Sequence, residues 1–193
     1  RGTNAYMGLN RTDPHAIWSF QGFAFEFWKH TSSRLNALKG FIDSAPKDKF
    51  VIIDMDYNEG EWLKWNSFFD APFVWSKLHE FGGTDGMKGN MTRAAELPSR
   101  ALHSKTNIVG TGFTSEGIDQ NPAYYDLILD SHFHNASLDP TAHAISRALK
   151  RYNIPTAAAA TERAWTALTQ SVYSKDESVQ DTTGVPHLPG TAH

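Results

Sequence analysis

The segment Lys49 to Gly83, KFVIIDMDYNEGEWLKWNSFFDAPFVWSKLHEFGG, restricts the fold more than any other part of the chain. Phe50 to Ile53 is an apolar run rich in β-branched residues and without polar alternation, the pattern of a strand buried on both faces. Pro72 to Trp75 is a second such run. Strands covered on both faces belong to parallel sheets flanked by helices. Each run is followed at its C-terminal end by groups able to do chemistry: Asp54, Asp56, Glu59 and Glu61 after the first, His79 and Glu80 after the second. Parallel α/β barrels build their active sites on the loops after the strands, so acids in these positions read as catalytic.

The flanking sequence supports parallel β/α units. Ala16 to Phe25 reads as a strand running into an aromatic, Gly-interrupted loop. Ser32 or Ser33 then caps a helix with Leu35, Leu38, Phe41 and Ile42 on one face, closed near Pro46. Gly82, Gly83, Gly86 and Gly89 break the pattern, and the remainder of the chain reads as helix and loop. Asn121-Pro122 and Asp139-Pro140 each join a capping side chain to a proline at the first helical position. The first opens a helix through Leu129; the second opens one with Ala142, Ile145, Leu149 and Tyr152 on its apolar face. Thr156 to Tyr173 is alanine-rich with helical spacing of Trp165, Leu168 and Val172, and the last fifteen or so residues form a tail without periodicity.

Composition excludes several classes. The 193 residues are 40% hydrophobic, 12% aromatic and 20% charged, which describes a folded globular chain. A net charge of −3 offers nothing to nucleic acid or to an anionic membrane surface. No apolar run reaches the roughly 18 residues that a membrane span requires. There is no cysteine, hence neither disulfide nor thiol catalysis. Three glycosylation sequons, at Asn10, Asn90 and Asn135, fit a secretory route. The chain starts at Arg1 and has no signal-peptide pattern, which reads as a processed product or a piece of something longer.

Three segments carry a family resemblance: AIWSFQGFAFEFW (Ala16 to Trp28), PFVWSKLHEFGG (Pro72 to Gly83) and IVGTGFTSEGIDQNPAYYDL (Ile108 to Leu127). In this order and spacing they resemble the α-N-acetylglucosaminidases, retaining glycoside hydrolases whose lysosomal member trims heparan sulfate. The resemblance implies the last strands of a (β/α)8 barrel, residues 1–84, followed by part of an α-helical domain, residues 85–193. It implies a glycan substrate with terminal GlcNAc, no cofactor and no metal, a lysosomal or secreted location, and homo-oligomers in some members. Three strands cannot close a barrel, so the missing N-terminal half is expected on the same precursor or on a companion chain.

Retaining glycosidases use two carboxyl groups about 5 to 5.5 Å apart, one nucleophile and one acid/base. The resemblance places the nucleophile after the penultimate strand, with Glu59 first and Glu61 second. The family pattern has its glutamate four residues after the strand's aspartate, where this chain has Asn58, so the loop is re-registered by about a residue. The general acid is expected in an Asn-Glu pair on an earlier strand; Asn4 to Asn10 contains no acid, so it comes from elsewhere. Trp18, Gln21, Phe25, Trp75 and His79 are the expected substrate-binding residues, and the resemblance adds Glu116. The glycines of Gly110 to Gly117 lack the Lys-Ser/Thr of a nucleotide loop, and His132 and His134 lack a third metal ligand.

Overall fold

The computed structural model describes residues 2–27, 34–56, 61–79, 88–104, 106–115, 121–153 and 155–174. Contact clustering divides the chain into two compact units, residues 1–77 with 100–114, and residues 78–99 with 115–193.

The first unit is built on a four-stranded sheet in sequence order. Helix α1 (Gly2–Thr12) leads to strand β1 (Trp18–Gln21), helix α2 (Arg34–Ile42), strand β2 (Phe50–Asp56), the short helix α3 (Glu61–Lys64) and strand β3 (Phe73–His79). Helix α4 (Met91–His103) then returns the chain to strand β4 (Ile108–Ser115). β1 and β2 pair in parallel with Trp18 opposite Phe50, and β2 and β3 pair in parallel with Asp54 opposite Trp75. The β4 contacts ascend in step with β3: Phe73 N–H donates to Asn107 O, Gly110 faces Val74, and Ser76 Oγ meets Thr114 Oγ1 at 2.8 Å. All four strands therefore run the same way.

Strand β4 corrects the expectation of only helix and loop beyond the glycine cluster. Gly110 and Gly112 hid it, because glycine is depleted in strands. Both β2 and β3 are longer than the apolar runs suggested, since their C-terminal turns carry polar residues: Asp54 and Asp56 in β2, Ser76, Lys77 and His79 in β3.

The pleat sends alternate residues to opposite faces. Trp18, Phe20, Phe50 and Ile52 share the face that meets α2. There Phe41 lies 5.3 Å from Trp18, 4.5 Å from Phe20 and 5.7 Å from Phe50, ring centroid to centroid. Such pairs each add about 0.5–1.5 kcal/mol beyond the area they bury. Leu38 and Ile42 complete the buried side of α2, whereas Leu35 is exposed. The other face of the sheet carries Ser19, Gln21, Val51, Ile53 and Val74, all exposed or half-buried.

Between α3 and β3 the backbone makes a left-handed turn. Asn66, Ser67, Phe68, Phe69 and Asp70 have φ of 54°, 50°, 50°, 52° and 64°. For L-residues this costs roughly 1–2 kcal/mol each. The turn is held by its contacts: Phe68 is fully buried, Lys47 Nζ reaches Phe69 O and Asp70 Oδ2, and Asn107 Nδ2 donates to Asp70 O.

The second unit includes three helices, α5 (Pro122–Ser131), α6 (Pro140–Tyr152) and α7 (Ala158–Gln170). Both expected caps form: Asn121 accepts from Tyr124 N–H and Asp139 from Ala142 N–H, each with proline in the first turn. Asp130 pairs with His143 at 2.8 Å and Asp126 with Arg147 at 2.9 Å, tying α5 to α6. The Asp126 carboxylate raises the Arg147 pKa, chiefly by its hydrogen bond. Thr141 and Thr169 hydroxyls meet at 2.7 Å between α6 and α7. The buried side of α6 is Ala144 and Ala148; Ala142 and Tyr152, expected on the apolar face, are exposed. Asp139 sets the start of α6, and the packed stripe is centred on small residues that let α7 approach.

Candidate active site

Polar candidates stand at the C-terminal ends of single strands, Gln21 on β1 and Asp54 on β2 in the first unit and His79 on β3 in the second. Strand β2 brings Asp54 to a position with no solvent exposure. Its Oδ2 accepts the backbone N–H of Trp62 at 3.3 Å. The first-turn N–H groups of a helix have no intrahelical acceptor, and a buried carboxylate is a strong partner for one. Asp54 thus ties the end of β2 to the first turn of α3. Trp62 is buried and lies over Phe73 with ring centroids 6.4 Å apart, at 19° between planes. By register Asp54 shares the helix-facing side of the sheet with Ile52, Phe73 and Trp75. Its carboxylate is therefore an anchor for the start of α3, a role that a row of strand-end acids in the sequence does not distinguish from catalysis.

Glu59 lies outside the described residues. Glu61 opens α3, with its side chain outside the described set. Glu80 and Glu116 are likewise outside it. Gln21 is the last residue of β1, exposed on the face opposite α2. Trp18 is at the other end of that strand, edge-on to Phe41 and Phe50. Phe25 is fully buried, its ring 5.0 Å from Phe20, 5.9 Å from Trp65 and 6.3 Å from Phe68. Trp75 is fully buried in β3.

His79 ends β3 and belongs to the second unit. There it stacks on Tyr124 at 4.0 Å and 16°, meets the edge of Tyr125 at 5.8 Å, and gives its carbonyl to the Tyr125 hydroxyl at 3.3 Å. Sequence reasoning misses this tyrosine pair of α5, although Tyr124 and Tyr125 fall inside the third resemblance segment. Among the described residues, no group of three His, Asp or Glu side chains converges as a metal site.

Parallel strands with intervening helices and polar groups at the strand ends define part of a (β/α)8 barrel of the kind that houses enzymes. Residues 1–135 match the family described as the alpha-N-acetylglucosaminidase (NAGLU) TIM-barrel domain. The chain belongs to that family. It is 30% identical over 182 residues to human alpha-N-acetylglucosaminidase, an alignment spanning 89% of this chain and 23% of the human protein. Among solved structures it resembles a family 89 glycoside hydrolase from Clostridium perfringens in complex with PUGNAc, with a TM-score of 0.71 and 23% identity, over 88% of this chain and 18% of that one. A second structure of that enzyme, a variant in complex with its substrate GlcNAc-alpha-1,4-galactose, gives a TM-score of 0.70 and 24% identity over 87% and 18%. The chain thus spans about a quarter or less of the relatives it matches, and at these identities the solved structures establish the fold.

Proposed function

We propose that this chain is the nucleophile-bearing portion of a retaining exo-α-N-acetylglucosaminidase that removes terminal α-linked GlcNAc from glycans. The observation that supports this reading is the Asp54 bond to the Trp62 amide, made between the end of a barrel strand and the helix that flank Glu59 in sequence, in a chain of the α-N-acetylglucosaminidase family. In this reading Glu59, with Glu61 as second choice, attacks the anomeric carbon as the bond to the leaving oxygen breaks. A carboxylic acid from another part of the barrel protonates that oxygen, then takes a proton from the water that releases the sugar with its configuration retained. The substrate named for the bacterial relative, GlcNAc-alpha-1,4-galactose, supports the choice of sugar.

Gln21 and His79 are the polar groups proposed at the strand ends, with Glu116 completing the set. Trp18, Phe25 and Trp75 are the aromatic residues proposed with them for substrate binding. The remaining barrel strands come from the same precursor or a companion chain, and the helices that follow the barrel are part of an α-helical domain. A lysosomal or secreted location, with heparan sulfate as a candidate substrate and a homo-oligomeric assembly, completes the proposal.

The test is turnover of an aryl α-GlcNAc by the natural gene product expressed whole, with the anomer of released sugar followed by NMR. Glu59→Gln should lose turnover by about a thousandfold or more while Glu61→Gln retains most of it. A dead Glu61→Gln beside an active Glu59→Gln moves the nucleophile to Glu61. Sugar binding without hydrolysis by the parent would replace the enzyme with a non-catalytic, glycosidase-derived binding subunit, the reading favoured by the re-registered loop at Asn58.

A further inference from the structure

Phe133 is 86% exposed, more than any other large apolar side chain among the described residues. It lies on the connection between α5 and α6, in a turn closed by Phe133 N–H to Asp130 O at 3.1 Å. Two residues further on comes Asn135, the acceptor of the sequon Asn135-Ala136-Ser137. A lone exposed ring is ordinary on a protein surface, and it is also a face that a covalently attached neighbour can cover.

The three sequons differ in what their side chains already do. Asn10 is inside α1, half-buried, with its Oδ1 near the Tyr6 hydroxyl at 3.5 Å, and the sequon hydroxyl of Thr12 donates to Gly8 O. Asn90 is half-buried and caps α4, its Oδ1 accepting Arg93 N–H at 3.0 Å. Asn135 is exposed on a connection with no regular structure, and among the described residues its backbone carbonyl alone is engaged, by the Ser99 hydroxyl at 3.3 Å. Ser137 is exposed, and its hydroxyl donates to the carbonyl of Leu138 at 3.4 Å. The Asn135 carboxamide is thus available to solvent as a glycan requires.

We propose that Asn135 carries an N-linked glycan whose first GlcNAc packs its C–H face on the Phe133 ring. The inference rests on the secretory route proposed above. Asn135 Nδ2 forms the N-glycosidic bond to C1 of the first GlcNAc and gives up one proton. The C1–O bond to a lipid-linked pyrophosphate donor breaks, and the lipid pyrophosphate departs as the leaving group. An aromatic face attracts the electropositive C–H edge of a sugar by its quadrupole, and covering the ring removes apolar surface from water. Asn10 and Asn90 remain unmodified.

The natural gene product, expressed whole in a eukaryotic host behind a heterologous leader, is analysed by glycopeptide mass spectrometry. Asn135 should be occupied in most molecules and Asn10 and Asn90 in few. Enzymatic removal of the glycan should lower the Tm of the parent by about 2 °C and leave Phe133→Ala unmoved. A secreted protein with bare Asn135 overturns the site, and an equal Tm loss in both forms overturns the stacking. Because the leader imposes the route, a failed glycan is distinguishable from a failed location. Turnover of the aryl α-GlcNAc in the same preparation reports separately on the catalytic reading.

Discussion

Asp54 shows how an acid at a strand end can be committed to holding the next element. Its carboxylate is fully buried and its Oδ2 holds the Trp62 amide. A hydrogen bond to a charged group contributes about 1.5–3 kcal/mol, and leaving the donor buried without it costs a similar amount. Asp54→Ala should therefore speed hydrogen exchange of the Trp62 amide by about thirtyfold, corresponding to about 2 kcal/mol of local opening. Asp54→Asn keeps a carbonyl acceptor and should lose roughly half of that protection. Equal exchange in parent and Asp54→Ala would show that Asp54 is no anchor. A second residue-scale effect concerns His132 at the end of α5, whose pKa is lowered from its ordinary value by burial. With the folded-state pKa below that of the unfolded chain, the unfolded state binds more protons as pH falls through the ordinary histidine range. Stability is then lost on acidification through that range, and the loss is complete once pH lies below the folded pKa. His132→Gln should show a smaller difference in denaturant midpoint between pH 7 and pH 5 than the parent. An unchanged difference would place the acid sensitivity elsewhere. The sequence displays both residues, but a row of acids after a strand does not reveal which one turns toward the helices; the register with Trp75 does.

At the scale of elements, the devices with a local mechanism were legible and those set by packing were not. Asn121-Pro122 and Asp139-Pro140 announce helix starts because a side-chain acceptor and a fixed proline φ act within one turn. β4 was hidden because Gly110 and Gly112 belong to a residue type depleted in strands, although no crowding demands glycine at either: a Cβ on Gly110 would lie an ordinary 3.6 Å from Val74 Cγ2. The left-handed turn of Asn66 to Asp70 had no sequence signal beyond Asn66 and Asp70, the residue types that tolerate positive φ. It is sustained by burial of Phe68 and by Lys47 and Asn107 across the turn. Ser67 has φ of 50° and is only half-buried, so Ser67→Gly should relieve strain without opening a cavity. The expected gain is about 1 kcal/mol, less than the full left-handed penalty because glycine loses more entropy on folding. Thermal melting of the parent and the variant checks it; a lower Tm for Ser67→Gly would argue against a left-handed conformation there.

At the scale of the molecule, the sheet determines what else must be present. Four parallel strands lie in the order β1-β2-β3-β4, and within this sheet β1 and β4 each have one neighbour. A (β/α)8 barrel has eight strands and no edges. The buried-strand runs led to the expectation of further strands, and four strands close a barrel no better than three. The side chains agree. Val51, Ile53 and Val74 on the face away from α2 are only half-buried, and on β4 Val109 is 57% and Phe113 39% exposed. Parallel sheets occur almost only with both faces covered, and an uncovered parallel edge is a template for association. Residues 1–193 expressed alone should therefore bind a hydrophobic dye such as ANS and elute as associated species. The natural gene product expressed whole should bind little dye and unfold cooperatively. If residues 1–193 alone prove monomeric, dye-silent and cooperative, this portion is self-sufficient, and the barrel half invoked to supply the general acid would have to be justified by chemistry alone. If they associate, the same strands that are missing from the sheet are those expected to bring the second carboxyl group, and restoring them should recover monodispersity and turnover together.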